Sequence, residues 1–180
     1  MTWSRLLPIS VFAVLVIFLA IGLTRNPNTI PTEMIDRPVP EFALPDLRGP
    51  AMITQDDLIG EVALVNVFGS WCVACLLEHP TLMDLSADGI VRIVGVNWRD
   101  DQADALAWLA RHGDPYDAII YDADSQLVIE MGVTGAPETF VIDAEGRIRY
   151  KQIGPITPEV WRDTIRPVLD AILVEREAAT

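Results

Sequence analysis

The sequence predicts an α/β domain, a mixed β-sheet with helices packed on it, preceded by a separate apolar segment and a linker. Three observations carry this. Short apolar runs alternate with longer stretches of helical period through most of the chain, as parallel crossovers require. The last two strand-like runs are separated only by Ala144-Glu145-Gly146-Arg147, so they form an antiparallel hairpin. One run, residues 62–68, is apolar throughout except at Asn66, the pattern of a strand buried on both faces.

Residues 1–5, ending in Arg5, read as a short cytoplasmic n-region, and residues 6–23 are 18 residues without a charge, followed by Arg25. About 20 residues span a hydrocarbon core, and a cleaved secretory segment has a shorter apolar stretch of about 7–15. The length therefore favours a transmembrane anchor over a signal segment, although Ala20-Ile21-Gly22 offers a small-x-small cleavage site. The distribution of arginines leans slightly toward a cytoplasmic N-terminus. Either fate puts the rest of the chain outside the cytoplasm. Residues 24–40 carry Pro27, Pro31, Pro38 and Pro40 and read as a linker. At about 3.1 Å per residue it would reach on the order of 50 Å.

The folded domain is expected over residues 41–180. Residues 42–47 and 51–54, split by Arg48-Gly49-Pro50, read as a short hairpin. After the strand at 62–68, a helical pattern starts at the cysteines and runs to about Leu85, with Pro80 as an expected kink. A strand at 91–97 precedes a helix at 102–112, capped by Asp101 and stopped by Gly113. A short strand at 118–121 and a short helix at 125–131 follow. Strands at 139–143 and 148–153 form the hairpin. Thr157-Pro158 opens the last helix with a cap and an N1 proline, and Pro167 marks a second kink.

Composition narrows the chemistry. Thirteen basic against 26 acidic residues give a formal charge of −13, and nucleic acid is excluded as a partner because phosphate binding needs a basic face. The two cysteines cannot build a disulfide framework, but they can build one redox couple.

Those cysteines are Cys72 and Cys75 in Ser70-Trp71-Cys72-Val73-Ala74-Cys75, at a strand-to-helix junction. Free N–H groups and the positive helix end favour a thiolate there. Thiol–disulfide exchange needs an attacking thiolate and a second thiol to resolve the mixed disulfide. Cys72, nearer the helix start, is assigned as the exposed attacker and Cys75 as the buried resolver, with Trp71 shielding the pair. An inert staple is the weaker reading, since so short a loop gains little. A metal site built on Cys72, Cys75 and His79, with His112 as a fourth ligand, would be incomplete for zinc, and His79 otherwise reads as a half-exposed helix residue. No metal and no cofactor is expected. Glu78, three residues past Cys75, shares its side of the helix, and a carboxyl there can raise a thiol pKa or accept its proton; a solvent-facing role is equally open. In Gly135-Ala136-Pro137-Glu138-Thr139-Phe140, two features stand out: Pro137, ordinarily trans, and Glu138 near the end of a strand.

Together, Trp71-Cys72-Val73-Ala74-Cys75, Glu78-His79, the stretch Gly95-Val96-Asn97-Trp98-Arg99-Asp100-Asp101, Gly135-Ala136-Pro137-Glu138-Thr139-Phe140 and Ile148-Arg149-Tyr150-Lys151 resemble the CcmG/DsbE group of thiol:disulfide interchange proteins of cytochrome c biogenesis, which are TlpA-like. The resemblance implies a thioredoxin-like fold with an N-terminal β extension and a βα insertion, a redox-active Cys72–Cys75 disulfide, and Pro137 as a cis proline lining the partner groove. It implies that Glu78 and Glu138 are acidic residues peculiar to the group. It also implies a reductant of apocytochrome c, or of a thiol-carrying maturation partner, anchored in the bacterial inner membrane with its catalytic domain in the periplasm. Electrons would come from a membrane thiol donor of the CcdA or DsbD kind. Val73-Ala74 and Leu76 depart from the proline and basic residue frequent in the group. A general periplasmic thioredoxin-like reductase is the alternative, and a Sco-like copper-delivery protein, which uses C-x-x-x-C, is a more distant one.

Overall fold

In a computed structural model the described residues are 3–23 and 34–178. They fall into two units, Met1–Pro31 and Thr32–Thr180. In the first, α1 (Trp3–Leu23) is a helix of 21 residues, and at about 1.5 Å per residue it is roughly 31 Å long. Apart from Pro8 and Ser10, its described side chains are apolar, and all are exposed, Phe12 and Phe18 among them. Among the described residues no helix is long and apolar enough to cross a membrane. In α1, however, side chains are described only at Pro8 and over residues 10–20, so part of the charge-free span at 6–23 lies outside them. The first ten residues of the expected linker, 24–33, are also outside the described residues.

The second unit is built on a five-stranded sheet. Its elements follow the sequence closely: β1 (Ala43–Pro45), β2 (Met52–Thr54), β3 (Ala63–Phe68), α2 (Val73–Asp88), β4 (Arg92–Trp98), α3 (Gln102–His112), β5 (Ala118–Asp122), α4 (Gln126–Glu130), β6 (Glu138–Ile142) and β7 (Ile148–Ile153). The helical C-terminus comprises α5 (Pro158–Val160), a π-helical turn (Trp161–Ile165) and α6 (Arg166–Ala178). The order across the sheet is β5-β4-β3-β6-β7, with β3 parallel to β4 and antiparallel to β6. This is the thioredoxin-like arrangement. The antiparallel pair β1–β2 is the N-terminal extension, and β5 with α4 is the added βα unit.

All six residues of β3 are buried, as its apolar run predicts. Side chains alternate across the sheet. Leu64 and Phe68 pack with Leu82, Leu109 and Leu169 on one face, and Ala63, Val65 and Val67 pack with Leu44, Leu58, Leu127 and Met131 on the other. Asn66 lies on the face of Leu64 and Phe68, where α2 packs. Helix α3 starts as expected, with Asp101 accepting from the N–H groups of Ala103 and Asp104.

Two features differ from the sequence reading. The domain begins before residue 41: Asp36 N–H donates to Ile148 O, Ile148 N–H to Arg37 O and Val39 N–H to Gly146 O, and Val39 is buried. Residues 34–40 are thus a strap on the first residues of β7 and not linker. Composition hid this because main-chain pairing needs no particular side chain. Near Pro167 the final helix widens: Arg166 N–H donates to Trp161 O, five residues back. The proline ring crowds the carbonyl four residues before it, and a π turn relieves that crowding. Both sheet edges are covered in part. The strap lies on β7, and the end of the β1–β2 hairpin lies on β5 through Leu47 N–H to Ile119 O.

Candidate active site

β3 delivers the chain to the sheet's upper end at Phe68, and a tight turn over residues 69–71 feeds α2. Asp100 anchors that turn by accepting from Ser70 N–H and Ser70 Oγ–H. Trp71 folds back over the turn, with its Nε1–H donating to Trp98 O at 3.1 Å and its ring edge-on to Trp98. This needs a glycine at 69, where a Cβ would come within 2.5 Å of Trp71 Nε1.

Cys72 is the N-cap of α2, and its Sγ accepts Cys75 N–H at 3.1 Å. The two sulfurs are joined in a disulfide, with the Cα atoms 5.3 Å apart. The sequence reading placed Cys72 exposed and Cys75 buried. In the oxidised form Cys72 is 5% and Cys75 2% exposed, so both are buried in one apolar cluster. Ala136 packs against that cluster, and the Ala136-Pro137 bond is cis. A shallow groove of about 220 Å³ lies beside the pair, lined by Ala74, residues 134–138, Ile153, Gly154 and Pro155. On the outer side of α2, Val73 (78% exposed), Leu76 (41%) and Leu77 (71%) form an apolar stripe next to Trp71 (50%). The disulfide thus lies between an apolar groove and an apolar helix face.

Glu78 is wholly buried one turn below Cys75, which removes the solvent-facing alternative. Its Oε1 accepts from Asn66 Nδ2 at 2.8 Å and its Oε2 from Ile156 N–H at 2.8 Å. Burial raises its pKa from 4.5 to about 7, against the pull of those two donors. Asn66 is held in turn: its Nδ2 also reaches Thr139 Oγ1 at 2.9 Å, and its Oδ1 accepts from Tyr116 O–H at 2.8 Å. Tyr116 stacks on Phe68, and burial, followed by the Glu78 charge, raises its pKa well above the usual phenol range.

Glu138 lies elsewhere. It opens β6 opposite Val67, on the sheet face away from Asn66 and α2. Its carboxylate accepts from Thr134 N–H and O–H, and it pairs with Lys151 Nζ at 2.8 Å, both side chains almost fully buried. The two acidic residues are therefore not one cluster. His79 is buried, not half-exposed. Its Nε2 is 3.1 Å from Gly113 O and its ring sits edge-on to Trp108, and burial lowers its pKa. Among the described residues no group of three or more His, Cys, Asp or Glu side chains is arranged to hold a metal ion.

Sequence reasoning missed Asn66, Tyr116 and Lys151. Asn66 left a signal as the one polar residue in a fully apolar run. Lys151 left one as the single lysine of the chain, in a strand. Tyr116 left none.

A family model described as Redoxin matches residues 35–171. A thiol:disulfide interchange protein DsbE of Allochromatium vinosum is 48% identical over 165 residues, covering 91% of each chain. Proteins of the same description from Pseudomonas aeruginosa, at 44% over 96% of each chain, and Escherichia coli K12, at 40% over 91% of each, are also similar. Among solved structures, a thiol:disulfide interchange protein DsbE of Chlorobium tepidum superposes with a TM-score of 0.64 at 27% identity, over 73% of this chain and 95% of that one. A secreted thiol-disulfide isomerase of Corynebacterium glutamicum superposes with a TM-score of 0.62 at 25% identity, over 73% and 85%.

Proposed function

This chain belongs to the redoxin family and, within it, to the DsbE thiol:disulfide interchange proteins, and from that premise we propose that it is the membrane-held periplasmic reductant of apocytochrome c, or of the protein that carries its thiols. The chemistry is that of a thiol:disulfide oxidoreductase with Cys72 and Cys75 as the redox pair. The observation that carries the assignment of roles is Cys72 Sγ at the N-cap of α2, accepting Cys75 N–H. A thiolate at that position gains the same hydrogen bond and the positive helix end.

The exchange then runs in two balanced steps. Cys72 thiolate attacks one sulfur of the partner's disulfide: a Cys72–partner S–S bond forms, the partner's own S–S bond breaks, and its other sulfur leaves as a thiolate. Cys75 next loses its proton to Glu78, one turn below, so that an S–H bond is exchanged for an O–H bond. The Cys75 thiolate attacks Cys72 Sγ, the mixed disulfide breaks, and the partner's second sulfur leaves as a thiolate; its two thiolates become a dithiol by taking one proton from Glu78 and one from solvent. Two electrons pass to the partner and this chain is left as the disulfide. The apolar groove beside Ala136-Pro137 and the Val73–Leu77 face seat an extended partner segment. A membrane thiol donor of the CcdA or DsbD kind returns the two electrons.

The charge-free span at residues 6–23 supports an anchor with residues 1–5 in the cytoplasm and the redox domain outside. Because residues 34–40 are strapped to the domain, the linker read from the sequence shortens from residues 24–40 to residues 24–33. The deciding experiment is a trap: Cys75→Ser stalls the mixed disulfide at Cys72, and the attached protein is identified. Apocytochrome c or a maturation thiol protein is expected. An assortment of unrelated periplasmic proteins would make the chain a general reductase. Recovery of the chain in the soluble periplasmic fraction, with a mature N-terminus near Leu23, would refute the anchor.

A further inference from the structure

The two donors on Glu78 differ in kind. Ile156 N–H is main chain and has nothing to turn. Asn66 is a side-chain amide, and its two ends could exchange places by a half-turn about the terminal bond. One orientation gives Glu78 an N–H, and the other would set Asn66 Oδ1 against the carboxylate.

The surroundings decide between them. Tyr116 O–H is fully buried and donates to Asn66 Oδ1 at 2.8 Å. Were the amide reversed, Nδ2 would face the tyrosine oxygen and the phenolic proton would lose its acceptor, a penalty paid in the interior without water to offset it. In the observed orientation both protons of Nδ2 are used, one on Glu78 Oε1 and one on Thr139 Oγ1. β3, β6 and the segment before β5 therefore converge to fix one amide.

We propose that Asn66 is a positioning residue for the exchange reaction: locked by Tyr116 and Thr139, it presents an N–H to Glu78 Oε1 and keeps that carboxyl available as the proton acceptor below Cys75. The proposal rests on the reading that Glu78 takes the Cys75 proton. It explains why the one polar side chain in β3 sits at the centre of an otherwise apolar strand.

The charged and titratable groups around Glu78 are few. Cys75 and His79 are its neighbours on α2, and Tyr116 faces it through Asn66. Asp114 acts on Tyr116 and on His79. Glu138 lies across the sheet in its pair with Lys151. None of these donates a hydrogen bond to Glu78, so the donor that a substitution can remove is Asn66. Removing a bond to the ionised form holds the carboxyl protonated to higher pH.

The test uses the full-length protein in detergent. The Glu78 carboxyl is followed by carbon NMR of the oxidised form, in wild type, Asn66→Leu and Tyr116→Phe. The same three proteins, reduced, are mixed with oxidised glutathione across the pH range and the exchange rate is recorded. The Glu78 midpoint is expected to rise by about one pH unit in Asn66→Leu, the size of one typical buried hydrogen bond, and by less but in the same direction in Tyr116→Phe. The midpoint of the rate profile should rise with it. Tyr116→Phe keeps the shape of the core, so it decides the matter even if Asn66→Leu does not fold. An unmoved or lowered Glu78 midpoint in the folded variants would reduce Asn66 and Tyr116 to packing and overturn the proposal. If the carboxyl midpoint rises while the rate profile stays put, the network holds Glu78 as described, and it is the role of Glu78 toward Cys75 that fails.

Discussion

Replacing Glu78 with glutamine isolates the cost of one buried carboxyl. In the folded chain its pKa is raised from 4.5 to about 7, chiefly by burial. The unfolded chain returns it to its ordinary value. Between those two pH values the native state holds a proton that the unfolded state has released, so stability falls as pH rises through the window. Below pH 4.5 the group is protonated in both states and contributes nothing, and above about 7 the loss is complete. At about 1.36 kcal/mol per pH unit, the displacement amounts to about 3 kcal/mol. Glutamine does not titrate, but its N–H₂ end must face either Asn66 Nδ2 or Ile156 N–H, both donors. That costs the variant roughly 1–3 kcal/mol at every pH. The informative quantity is therefore the gap between the two proteins as pH changes. Urea unfolding of the oxidised forms, which keeps the thiols out of the titration, should show the variant gaining about 3 kcal/mol on wild type between pH 4.5 and 8. A constant gap across that range would mean that Glu78 ionises where an exposed carboxyl does, and the reasoning from burial would be wrong.

Other substitutions test other parts of the site. The same Glu78→Gln change should lower the pKa of the nearer thiol and make the protein a weaker reductant, about 30 mV for each 1.4 kcal/mol, whereas Glu138→Gln, on the other sheet face and paired with Lys151, should leave the potential against glutathione unchanged. Equal shifts in both variants would contradict the separation of the two carboxyls. Alkylation of the reduced protein from pH 5 to 9 should modify Cys72 before Cys75, and the reverse order would exchange their roles. Lys151→Met strands a buried carboxylate and should destabilise the fold by about 3–5 kcal/mol in urea, with most of the loss recovered by adding Glu138→Leu. A loss under 1 kcal/mol would show that the pair is solvated.

The parts of this fold that could be read in advance are those whose signals are local. The apolar run of β3, the Asp101 cap and the hairpin at residues 144–147 each declare themselves within a few neighbouring residues. The surroundings of Glu78 do not, because its partners and those of Asn66 lie 12, 50, 73 and 78 residues apart along the chain. Only the sheet register brings them together. The side of the sheet taken by Glu138 was within reach: it shares parity with Phe140 and Ile142, and alternation along β6 sets all three on one face. The strap was not, since its grip on β7 is made of peptide groups that every sequence owns.

That strap has a mechanical consequence. It joins the body of the domain beside Gly146 and Ile148, at the end of β6 remote from Glu138, while the disulfide crowns the opposite end of β3. The strap and the reactive sulfurs are thus at opposite poles, separated by the length of β3, six residues or about 20 Å. Under the proposed anchor, a domain joined at its far pole would turn its working end through the widest arc that residues 24–33 allow. That anchor would then present the same two sulfurs first to whatever reduces them and then to whatever they reduce, by pivoting alone and without reshaping the domain.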